Sequence, residues 1–142
     1  MTAAGWGFYS AVVDTPEQVR DDFADVTKTI PLPPGATWDT ANLDENGLYG
    51  RQAALMLALS QATCAWLGYW DDGQVVGDRS QTAAALAGFQ RIRALMPLHP
   101  AGAPEEAGGY DAGSLRYFDA MIAEASRGEA TLVRQHLTAN CT

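Results

Sequence analysis

The sequence predicts an all-α protein: about five helices packed around a long central helix, at about residues 46–71, in a single domain. Three observations lead there. Leu48 to Trp70, LYGRQAALMLALSQATCAWLGYW, contains the longest stretch without Gly or Pro and is the richest in apolar and aromatic residues. After Arg51 it carries no charge until Asp71. Thr15-Pro16-Glu17-Gln18 offers a capping Thr, a Pro at the first helical position and Gln at the third, a capping box that marks a helix start. Beyond these, helical patterns alternate with turns, and no convincing series of strands appears.

Residues 1–13, with the apolar GWGFYSAVV, read as a linker or a segment next to an anchor, and residues 14–142 as the helical domain. The first helix is expected to run to about Ile30. Val19, Phe23, Val26 and Ile30 form one apolar stripe, and Asp21, Asp22 and Asp25 point largely away from it. Pro31-Leu32-Pro33-Pro34-Gly35 ends this helix as a stiff connector, because proline fixes φ and lacks a donor. Trp38 is expected to pin the connector to the core. The central helix begins somewhere in Asn42 to Leu48. Leu48, Leu55, Leu59, Ala62, Trp66 and Tyr69 make one stripe, and Tyr49, Ala53, Met56, Thr63, Leu67 and Trp70 a second. Two adjacent stripes predict burial on most of the circumference. Some 22 residues at ~1.5 Å each span roughly 33 Å, the width of a small domain.

Asp71-Asp72-Gly73 reads as the turn that ends the central helix. Asp78 or Ser80 caps the next one, which runs to about Met96 with Leu86, Phe89, Ile92 or Arg93, and Met96 inward. Residues 97–109, PLHPAGAPEEAGG, form a Pro/Gly-rich loop, either mobile or functional, with His99 read as solvated. A helix from about Ala112 to Ser126 carries Leu115, Phe118, Ile122 and Ala125. Arg127-Gly128 closes it, and a last helix from Glu129 carries Leu132, Val133, His136 and Leu137.

The composition is that of a folded chain: 142 residues, 47% hydrophobic and 18% charged. The formal net charge of −8 lies in the first half, where residues 1–78 hold 11 acidic and 3 basic side chains, whereas residues 79–142 hold 6 of each. A net-acidic chain without a Lys/Arg cluster argues against nucleic acid and anionic membranes as partners. Solubility is the plain reading of such a charge run, and if the acidic half binds something, a basic protein or a cation is the natural complement. Ala53 to Trp70 is uncharged over 18 residues, the lower edge of a membrane-spanning length, but Ser60, Gln61, Thr63 and Gly68 make it only mildly apolar. Direct membrane insertion is not expected.

Cys64 lies midway along the central helix, and Cys141 is the penultimate residue. A last helix packed antiparallel to the central one, or across it, brings the two together. The preferred reading is a disulfide, which places the chain in an oxidising compartment outside the cytoplasm. The alternative is a reduced protein, with Cys64 a small core residue and Cys141 a tail thiol. Pro33-Pro34-Gly35-Ala36, Cys64-Ala65-Trp66 with Tyr69-Trp70, Gly77-Asp78 and Ala139-Asn140-Cys141 together resemble uncharacterised proteins of high-GC Gram-positive bacteria that carry one N-terminal membrane span and a helical extracytoplasmic domain. The resemblance covers scattered anchors within residues 30–141. It implies that topology, with an upstream anchor, and the cysteine pair; it implies no activity or ligand.

Little catalytic chemistry is visible. Asn42-Leu43-Asp44-Glu45-Asn46-Gly47 looks like half of a calcium loop, but its twelfth position is Ala53 where a Glu is required, so a helix cap is the better reading. No HExxH, CxxC or similar spacing joins His99 or His136 to the cysteines, so no metal or cofactor is expected. His136 reads as structural. Ser114 and Ser126 lack a nearby base, and Glu105-Glu106 sit in a loop, so no enzyme is expected. Trp66, Tyr69 and Trp70 beside Asp71 and Asp72, with Trp38, are the candidate binding residues: aromatic rings with carboxylates suit a cationic group. Core packing is the competing account of the same rings. The leading expectation is a non-enzymatic extracytoplasmic domain that binds another protein as a sensor, adaptor or immunity-type inhibitor. The alternatives are a small-molecule pocket lined by Trp66, Tyr69 and Trp70, and an acidic cytoplasmic partner of a basic protein.

Overall fold

The computed structural model describes residues 15–41, 43 and 50–142. Among the described residues the regular elements are five α-helices and one 3₁₀ turn: α1 (Pro16–Thr27), α2 (Gly50–Val76), α3 (Arg79–Leu95), the 3₁₀ turn (Glu105–Ala107), α4 (Ala112–Ser126) and α5 (Thr131–Asn140). The all-α expectation is met. The linker 1–13, most of the 42–47 calcium-like motif and the start of the central helix lie outside the described residues.

α1 forms where its cap requires. Gln18 N–H donates to Thr15 Oγ1 (3.2 Å) and Thr15 N–H to Gln18 Oε1 (2.8 Å), a complete capping box. Its stripe, Val19, Phe23, Val26 and Ile30, is buried against α2. The connector then turns at Pro33-Pro34-Gly35-Ala36. Gly35 has a φ of +83° and Ala36 N–H donates to Pro33 O (3.2 Å), so only glycine fits the third position without strain. Trp38 does pin this segment: its ring meets Phe23 edge-on at 5.8 Å. Gln61 of α2 clamps the neighbouring backbone, accepting from Asp39 N–H and donating to Asp39 O, both at 2.9 Å.

α2 is the axis. Ala54, Ala58, Leu59, Ala62, Thr63, Trp66, Leu67 and Trp70 are all buried. The helix does not end at Asp71-Asp72-Gly73, as the sequence suggested, but continues to Val76. Gly73 is a packing glycine, not a turn: a Cβ there would sit 3.0–3.1 Å from Gln81 and Thr82 of α3. The true stop is Gly77, with φ +74°. Asp78 N–H donates to Gly73 O (2.9 Å) and Gly77 N–H to Gln74 O (3.3 Å), the two bonds of a Schellman motif. α4 ends in the same way at Gly128, through Glu129 N–H to Glu124 O (3.0 Å) and Gly128 N–H to Ala125 O (3.0 Å). Gln74 Nε2 donates to Gly128 O (2.8 Å), so the two turns are joined.

α2 and α3 pack as an antiparallel hairpin. Gly88 lies against the face of Trp66, and Gln81 Nε2 donates to Tyr69 O (2.9 Å). Trp66 Nε1 donates to Pro31 O (2.9 Å), so one side chain touches the connector and α3 together. Ile92, rather than Arg93, takes the inward position; Arg93 pairs bidentately with Asp119 of α4. α4 buries Phe118, Met121 and Ala125, with Leu115 and Ile122 only partly covered.

The 97–109 loop is held by its own hydrogen bonds. His99 N–H donates to Tyr110 O (2.8 Å) and Tyr110 N–H to Pro97 O (2.7 Å). The His99 ring is not solvated as expected. Its Nδ1 lies 2.6 Å from Gly108 O and its Nε2 3.1 Å from Ala103 O, so one side chain near the start of the loop holds its middle and its far end. Burial pushes the Tyr110 phenol up to about 12.

Two glycines on facing helices give opposite expectations. In Gly88→Ala the new Cβ overlaps the Trp66 ring and should destabilise by about 1–3 kcal/mol. Gly68→Ala meets nothing within 4 Å and should stabilise by roughly 0.5–1 kcal/mol. Urea denaturation of both variants checks the signs.

Candidate functional site

The expected site at the end of the central helix resolves into separate parts. Trp66 and Trp70 are buried, at 5% and 3% exposure. Their spacing along α2 turns the rings into the bundle, so they do not present an open cage to a cationic partner. Tyr69 is half-buried and meets Trp66 edge-on at 6.2 Å. Trp38 is half-buried on Phe23. Asp71 is spoken for: Arg134 Nε donates to its Oδ1 at 2.9 Å. Of the six expected binding residues, Asp72 alone is exposed. It shares a helix face with Val75 and Val76, three and four residues on, which are 71% and 74% exposed.

The cysteines do meet. Cys64 and Cys141 form a disulfide with their Cα atoms 5.6 Å apart, closing a separation of 77 residues. The register that brings them together is visible elsewhere. α5 runs antiparallel to α2, so stepping back seven residues from Cys141 reaches Arg134, and stepping forward seven from Cys64 reaches Asp71 (141 − 134 = 71 − 64 = 7). Seven residues are about two helical turns. The ion pair and the disulfide therefore fasten one face of α5 at two heights. Both could have been read from the sequence once the antiparallel pairing was assumed, since Asp71 and Arg134 carry opposite charge at matching positions.

His136 completes this corner. Its ring lies 5.5 Å from Phe118 and 6.1 Å from Tyr117, and Asn140 Nδ2 is 3.2 Å from its Nδ1. One ligand atom from each of Cys64, His136 and Cys141 lies within 4.8 Å of the others, and all three residues are half-buried. Sequence reasoning missed this grouping because local ligand spacing was the criterion, and here two donors on α5 and its cap meet a third on α2. Burial holds the His136 imidazole below its ordinary affinity for protons. Beside the disulfide lies an open cavity of about 500 Å³, lined among others by Asp39, Ser60, Gln61, Cys64, Asn140 and Cys141. Its size is that of a small-molecule site.

No described helix is long and apolar enough to cross a membrane. Compared with known proteins, the chain matches no protein-family model, no curated protein and no solved structure.

Two expectations follow. Cys141→Ser should lose about 4 kcal/mol, the loop-closure stabilisation of a bridge this long, as measured by urea denaturation without reductant. For His136, burial lowers the folded-state pKa from the ordinary value of 6.5. Its neutral form then favours the fold fully above about pH 6.5, and that contribution is lost as pH falls from there toward the lowered value. The wild type should therefore lose stability relative to His136→Gln between pH 8 and pH 5, with denaturation midpoints as the readout.

Proposed function

We propose that this chain is a non-enzymatic, disulfide-closed helical domain that works outside the cytoplasm and binds another protein. The observation that carries the reading is the face formed by Asp72, Val75 and Val76. Two adjacent β-branched side chains, each more than 70% exposed, stand at the tip of a helix whose middle is buried on most sides. Single exposed apolar residues are ordinary, but an adjacent pair on a rigid tip with a carboxylate one turn away is a small anchor of mixed chemistry. The tip is preorganised, since the Schellman turn at Gly77 is tied to that at Gly128 through Gln74. A partner surface with an apolar hollow and a flanking Arg or Lys complements it. The Cys64–Cys141 bond supports an oxidising compartment, and so weighs against the cytoplasmic alternative. The resemblance to anchored extracytoplasmic proteins points the same way.

A second reading rests on a different observation. The cavity of about 500 Å³ beside the disulfide has the size for a small polar ligand, with Asp39, Ser60 and Gln61 as its polar groups. This relocates the small-molecule alternative from the aromatic cluster, which is core, to the other side of α2's Cys64 turn.

A photo-crosslinking residue at Val76, in the native cell, tests the first reading, with exposed Gln90 on α3 as the control position. We expect one discrete adduct at position 76 that disappears with Asp72→Arg, and none at 90. Equal adducts at both positions, or no adduct at 76, would overturn it. The compartment is checked separately: protein from the native cell, unfolded without reductant, should yield no alkylatable thiol, and two reactive thiols would contradict it.

A further inference from the structure

We propose that reduction of the Cys64–Cys141 bond turns this corner into a binding site for a thiophilic divalent metal ion, of which Zn²⁺ is the model, with Cys64, His136 and Cys141 as its three protein ligands. This goes beyond partner binding and does not depend on it. The donor set is chemically apt: two thiolates and an imidazole are the ligands of open, three-residue zinc sites, which leave a fourth position to water or a substrate. The distances are apt too. Zn–S bonds of about 2.3 Å in a tetrahedral site need sulfurs about 3.7–3.8 Å apart. The three donor atoms already lie within a 4.8 Å span, so thiols released from the bond need to move little.

The site should survive loss of the bond because other contacts hold α5 on α2. Arg134–Asp71 fixes the two helices two turns away, and Gln74 Nε2 to Gly128 O fixes the turn before α5. Cys64 Sγ lies 3.7 Å from Asn140 O. A disulfide sulfur has no proton to share there, but the thiol does, so the reduced side chain gains a weak hydrogen bond that keeps it in place. Charge favours the ion as well: two thiolates and one M²⁺ sum to zero, which suits a half-buried corner better than two free thiolates would. Burial disfavours the charged imidazolium of His136, in the direction that suits a metal ligand. The open cavity reaches both cysteines and gives the ion a way in.

The chemistry balances as follows. Two thiol molecules, or one dithiol, supply two electrons and two protons; the S–S bond breaks, both cysteines become thiols, and the reductant leaves as its own disulfide. The ion then displaces the two thiol protons to water. Bound metal removes free thiolate and so opposes reoxidation, which makes the corner a redox-gated metal site.

The test uses the whole chain, reduced with a phosphine, freed of it without oxygen, and titrated with Co²⁺ and then Zn²⁺. We expect one equivalent bound by the reduced chain, with thiolate-to-cobalt charge-transfer and tetrahedral d–d absorption, and no such binding by the oxidised chain. His136→Gln keeps the disulfide when oxidised, and circular dichroism of that form verifies its fold; once reduced it should bind Zn²⁺ weaker by on the order of tenfold or more. His136→Asn serves in its place if the Gln variant misfolds. Arg91→Gln, exposed on α3, should leave binding unchanged. Overturning results are absence of stoichiometric binding by the reduced wild type, equal affinity in the His136 variant, or equal binding by the oxidised chain. A reduced chain that loses its helicity and does not regain it with Zn²⁺ overturns the proposal as well.

Discussion

Trp66 is the contact on which the rest of the bundle depends. Its ring lies flat against Gly88, its Nε1–H reaches Pro31 O, and its edge meets Tyr69. One residue thus sets the distance between α2 and α3 and fixes where the connector from α1 crosses. The cost of burying an indole is small only because its single donor is satisfied, and the close approach is possible only because α3 presents no Cβ at that point. With α2 and α3 locked, the face left to α5 is determined, and Cys64 and Asp71 are the residues displayed on it.

Much of this was legible in the sequence, for identifiable reasons. The cap of α1 and its stripe are local signals, and both appear as expected. The cysteine pair was legible because an antiparallel last helix has the right reach. The end of α2 was misread because Asp71-Asp72-Gly73 has turn composition; only packing shows that Gly73 makes room for Gln81 and Thr82 and that Asp71 faces Arg134. The real stop, Gly77, was present four residues later, ahead of the Asp78 cap. His99 shows the same limit. A histidine between Leu98 and Pro100 looks solvated until the loop folds back and offers its ring two carbonyls.

The candidate site was less legible than the fold. Trp66, Tyr69 and Trp70 drew attention as aromatic residues beside carboxylates, yet aromatic density on a central helix is first a matter of volume in the core. What distinguishes the molecule here is smaller: an exposed valine pair at the tip, and a histidine that arrives at Cys64 on the same last helix that brings Cys141. Neither has a local signature. The first depends on α2 continuing to Val76 before the Gly77 turn, the second on the register that the ion pair and the disulfide share.

The disulfide also divides the chain mechanically. Tension applied to the backbone on either side of the bridge passes from residue 64 to residue 141 through two sulfur atoms, so α3, α4 and α5 carry none of it. The hidden segment corresponds to roughly 260 Å of extended chain. Under load such a domain yields by peeling α1 and the first half of α2, while the region holding the Val75–Val76 tip stays folded. Cleaving one bond returns that length to the chain.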